Sequence, residues 1–178
     1  MLFTIISIII ISTIGTLSHF TYELTNHNKI IGLFGAVNES TWEHIKITLT
    51  PIFLWGLIDG FIYGLNPNYF YAKFTSLIIP IFLIPLLFYG YQIILKKENL
   101  IIDILIFYIV IICSQLSFYF ILQMNPIKFI FRYLSCIGIF LTFGGYMIHT
   151  LMPAKNLIFK DPITKKYGFK GHSEIEKH

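Results

Sequence analysis

The sequence predicts an all-α, polytopic integral membrane bundle of about five transmembrane helices, with the N-terminus outside and the C-terminus cytoplasmic. Three observations carry that prediction. Only 12% of the 178 residues are charged and 56% are hydrophobic, with mean hydropathy +0.73, whereas a soluble domain carries roughly 25% charge. Apolar runs at about 2–22, 44–65, 70–95, 100–122 and 130–152 each reach the ~20 residues that a helix needs to cross hydrocarbon. Basic residues fall mainly on one side: ten lysines lie in the loops near 23–46 and 96–99 and in the tail, against Lys73, Lys128 and Arg132 on the other side. The positive-inside bias then sets the orientation. The expectation is a multi-pass protein of the cell membrane, with the lipid bilayer as its partner and no nucleic acid. Residues 1–152 form a single transmembrane domain, and 153–178 a polar, basic cytoplasmic tail.

The first span lacks a basic n-region and a small-x-small cleavage site, so it reads as a membrane helix rather than a cleaved signal peptide. The loop that follows contains IIGLFGAV, 30–37, apolar but too short to cross. A re-entrant or interfacial segment covered by protein fits it. In the second span, GLIDGFIYG spaces Gly56, Gly60 and Gly64 four apart, a strip where a neighbouring backbone can come close. That neighbour is either another span of the same chain or the same strip in a homodimer. Asp59 lies beside the strip, and an intramembrane carboxylate needs a partner: Lys73, Arg132 or a hydroxyl. The NP pairs at 66–67 and 125–126 read as turns. Pro80 and Pro85 predict a bend in the third span. Asp103, Ser114 and Ser117 share an inward face of the fourth. Cys113 and Cys136 fall inside spans as small apolar residues and imply no disulfide framework.

NESTWEHIK, 38–46, concentrates polar residues at the threshold of the second span. Ser40 and Glu43 match the S-x-x-E capping box, Asn38 can cap an earlier start, and Trp42 suits the water–lipid boundary. A helix start therefore accounts for Ser40, Glu43 and Trp42 but not for His44 or Glu39. Alternating topology brings more imidazoles and carboxylates to the same boundary. His19 and Glu23 end the first span four residues apart, on one helical face. Glu39, Glu43 and His44 begin the second span, Asp103 the fourth, and His149 ends the fifth. Imidazole with carboxylate is the ligand chemistry of a divalent metal such as zinc, iron or manganese.

The candidate metal ligands are His19, His44 and His149, with Glu39 or Glu43 as fourth ligand or catalytic base. Glu23, Asp59 and Asp103 are the other candidate polar positions. Such a centre with an open position activates water, which points to hydrolysis of a lipid or peptide bond at the membrane surface. The spacing matches no H-E-x-x-H, H-x-x-x-H or C-x-x-C signature. Two alternatives use the same residues differently. A small dimeric transporter or channel-like protein would run through Asp59 and Gln115; a membrane scaffold would use its His/Glu pairs only to cap helices. In the tail, KDPITKKYGF, 160–169, has turn chemistry and folds back on the cytoplasmic face, while GHSEIEKH reads as solvated.

SHFTYEL, GLFGAVNESTWEHIK with TP soon after, and FKDPITKKYGF together resemble a family of small bacterial membrane proteins known only as a domain of unknown function. NESTWEH is the most distinctive piece. The resemblance implies a helical membrane fold of five or so spans and supplies no catalytic residues. A looser similarity is to membrane hydrolases that bind zinc through three histidines and an acidic residue, such as alkaline ceramidases and the adiponectin-receptor group. Those have seven spans and a paired-histidine motif in a late helix, where this chain has only His149.

Overall fold

The computed structural model describes residues 1–171, and all of its long elements are helices. The closing run 172–178, with His172 and His178, lies outside the described residues. In chain order the helices are α1 (Leu2–Leu24), the short α2 (Lys29–Gly32), α3 (Thr41–Tyr63), α4 (Tyr69–Leu95), α5 (Leu100–Gln123) and α6 (Phe129–Leu151). Two 3-10 turns, Leu157–Phe159 and Gly168–Gly171, complete the tail. The five long helices are each long and apolar enough to cross a membrane.

α3 is the central helix. In its most apolar stretch 56% of residues are buried, against 17% in α4 and in α6. α1 packs on α3 and α5, while α4 contacts α3, α5 and α6. Ile11, Leu49, Ile52, Leu77, Val110 and Ile111 form the core between them, all fully buried. Large apolar side chains such as Phe61, Leu65, Phe82 and Phe140 point outward, as expected where lipid is the solvent. Asn28 and Asn99 start α2 and α5 by accepting from backbone N–H groups of the first turn. Asn68, fully buried, ties the start of α4 to the α5–α6 turn: its amide donates to the carbonyls of Ile121, Met124 and Asn125, and its oxygen accepts from Ile127.

Charges inside the bundle are paired. Asp59 accepts from Lys73 Nζ and from the Tyr69 hydroxyl, each at 2.8 Å. Lys46 Nζ lies 2.6 Å from Glu43 and donates to the Gly32 carbonyl at 2.8 Å. This corrects two sequence-based placements. Lys46 and Lys73 were expected in loops but are helical and buried, because each finds a carboxylate that offsets its desolvation. With both set aside, the basic residues still divide nine to two.

Two glycines of the strip, Gly56 and Gly60, meet α4 of the same chain. A β-carbon at Gly56 would stand 2.9 Å from Lys73 Cε, and one at Gly60 3.1 Å from the Tyr69 hydroxyl. Gly15 plays the same part between α1 and its neighbours, where a β-carbon would lie 2.7 Å from Phe107 Cζ and 2.9 Å from the Ile47 carbonyl. Gly15→Val is therefore expected to cost about 1–3 kcal/mol by overpacking. A lowered unfolding midpoint in detergent is the readout, and an unchanged midpoint would show that α1 can shift freely.

Candidate metal centre at one end of the bundle

The C-terminal end of α1 and the N-terminal end of α3 meet through the loop 33–40. The loop lies on α1 by an Ala36 N–H bond to the Ser18 carbonyl, at 3.1 Å. Its far side is held by the tail. Asn38 Nδ2 donates to the Gly168 carbonyl and the Glu39 N–H to Asp161 Oδ1, both at 2.9 Å. Asp161, fully buried, also accepts from the backbone and hydroxyl of Thr164, and a bridge joins Lys160 to Tyr167. The KDPITKKYGF segment thus folds back onto NESTWEH and fixes the Glu39 backbone.

His19, Glu39 and His44 come together there, each half-buried, with one ligand atom from each lying within 4.8 Å of the other two. His19 Nε2 is 3.5 Å from Glu39 Oε2, and the two imidazole rings are 5.8 Å apart. His44 Nδ1 is 3.1 Å from the Ser40 carbonyl. A carbonyl only accepts, so Nδ1 carries the hydrogen and Nε2 is the nitrogen left to take a ligand, on loss of its proton if the ring is charged. In a tetrahedral site with bonds of about 2.0–2.1 Å, ligand atoms sit roughly 3.4 Å apart. The His19–Glu39 pair already has that spacing, and His44 offers a ligand atom within 4.8 Å of both. Two imidazoles and one carboxylate suit zinc, iron or manganese.

The other candidate positions lie elsewhere. His149 stacks on Phe159 at 5.3 Å and packs on Trp42 at 5.6 Å, its Nδ1 bonded to the Gly145 carbonyl at 2.8 Å. It is not in the ligand group. Glu43, 2% exposed, is engaged by Lys46 and by the Val37 N–H at 2.9 Å. The capping box does not form: Ser40 makes no side-chain cap bond, because Glu43 reaches the loop and Lys46 instead. Glu23 is exposed. Asp103 accepts from the Tyr91 hydroxyl at 2.6 Å and lines a small cavity shared with His44. Asp59 lies in the ion pair with Lys73.

The hydrogen bond from His19 holds the Glu39 carboxyl below its ordinary value of 4.5; burial opposes this, and the charges of His19 and His44 add to it. A depressed carboxylate contributes stability above its unfolded value that is lost as pH falls through the folded one. Wild type should therefore lose an increment below about pH 4.5 that Glu39→Gln does not have. Unfolding midpoints from pH 6 to 3 check this; parallel curves would show that Glu39 is not coupled to His19.

Five apolar spans with imidazoles and a carboxylate gathered at one end define an α-helical protein compatible with membrane embedding. The chain belongs to the family of unknown function DUF6512, whose model matches residues 2–169. That match takes in NESTWEH and the tail turn that holds it. Comparisons with curated proteins and with solved structures returned no match.

Proposed function

We propose that His19, Glu39 and His44 bind a divalent metal (zinc, iron or manganese) and that the centre hydrolyses a bond in a lipid at the membrane surface. The convergence of three ligand atoms to within 4.8 Å, drawn from α1, the loop and α3, carries the reading. Three protein ligands leave a position open for water, and a bound cation would supply the Lewis acidity that activates it. The Ser40 carbonyl orients His44, and Asp161 fixes the backbone of Glu39. The charge bias supports a cytoplasmic location for this end and an outside N-terminus. The transporter alternative has less support, since Asp59 is already bonded to Lys73 and Tyr69.

Elemental analysis of protein purified without chelators tests the reading. About one zinc, iron or manganese per chain is the expected content. Folded, monodisperse protein that is metal-free and takes up none on dialysis against zinc, iron(II) or manganese would falsify it.

A further inference from the structure

A cleft of about 290 Å³ opens beside the candidate metal centre and shares Glu39 with it. Its walls come from α4, from the α4–α5 loop and from the tail. We propose that this cleft binds a phospholipid headgroup carrying both a phosphate and a primary ammonium, which names the substrate class of the hydrolase reading and rests on it.

The lipid character follows from α4. Tyr89 lines the cleft, and Phe82, Leu86 and Ile93 stand on the same helical face by their spacing. All three are exposed, at 68%, 67% and 77%, so an apolar track runs from the cleft along the outside of the bundle. Phe88, Leu157 and Pro162 add apolar lining. A soluble anion would use none of this surface.

The headgroup follows from which charges are already engaged. Glu39 faces His19, and Asp161 accepts from Glu39 N–H and twice from Thr164. Among the described residues, Lys160 has no side-chain partner, while Lys165 donates to the Pro162 carbonyl at 2.6 Å. Glu98 is exposed and makes no side-chain bond to another described residue. Two lysines therefore suit a phosphate, and Glu98 suits an ammonium with N–H donors.

Spin-labelled phosphatidylethanolamine, phosphatidylcholine and phosphatidylglycerol in nanodiscs, with chelator-treated protein, provide the test. Phosphatidylethanolamine should be retained about fivefold over phosphatidylcholine, whose ammonium keeps its charge but has no N–H; that is the ratio one hydrogen bond of about 1 kcal/mol gives. Lys160→Gln/Lys165→Gln should lower the retention of all three lipids, whose shared phosphate the lysines hold, and Glu98→Gln alone should equalise phosphatidylethanolamine and phosphatidylcholine. Equal retention of all three lipids, or phosphatidylglycerol held above phosphatidylethanolamine, would overturn the proposal. Because the metal is absent here, headgroup selectivity in a protein that takes up no metal strikes only the metal reading. Metal uptake without selectivity strikes only the cleft.

Discussion

Lys46→Met is expected to destabilise the protein by about 3–5 kcal/mol, the cost of leaving one partner of a buried ion pair uncompensated. Lys46 is fully buried, and its ammonium is the counter-charge for Glu43, which is itself 2% exposed. The same ammonium holds the Gly32 carbonyl, while Glu43 holds the Val37 N–H. Removing it frees the start of the loop that carries Glu39 and leaves the carboxylate at the loop's middle without its counter-charge. The variant should therefore lose metal affinity together with stability, although Lys46 is not in the ligand group. Glu43→Gln/Lys46→Met removes both charges and should recover most of the stability, because apolar or neutral replacement of both partners costs far less. Denaturant unfolding in detergent measures all three proteins. A single variant as stable as wild type would show that water reaches Glu43.

His44→Ala is expected to lower metal affinity by more than about 100-fold, since altering even a group behind a ligand costs 10–100-fold. His149→Ala should leave the affinity within about twofold, because its ring sits against Trp42 and Phe159 and outside the ligand group. Competition titration with a zinc chelator reads both. Equal losses in the two variants would place His149 among the ligands.

The fold was legible because hydrophobic runs of membrane length have few other uses. The end of the bundle where imidazoles gather was legible too, since alternation of spans sends His19, His44 and His149 to one boundary. What the sequence could not show was rotation about each helix. His149 ends α6 at the right height but faces Phe159, whereas His19 on α1 faces the loop. The Glu43–Lys46 pair had a visible signal in its i, i+3 spacing. A lysine beside an apolar run nevertheless reads as a loop residue until its partner is seen. Asp161 had none, for its role depends on a contact 122 residues away in sequence. The glycine strip shows the same limit: four-residue spacing marks a close approach without saying which helix makes it.

The proposed metal centre is tested most directly by X-ray absorption at the zinc edge, on protein loaded with one equivalent of zinc. Two imidazole nitrogens and one carboxylate oxygen at about 2.0–2.1 Å are the expected ligands, with His19→Ala and His44→Ala each removing one imidazole signal. A shell of oxygens alone, with no imidazole scattering, would contradict His19, Glu39 and His44 as a metal site.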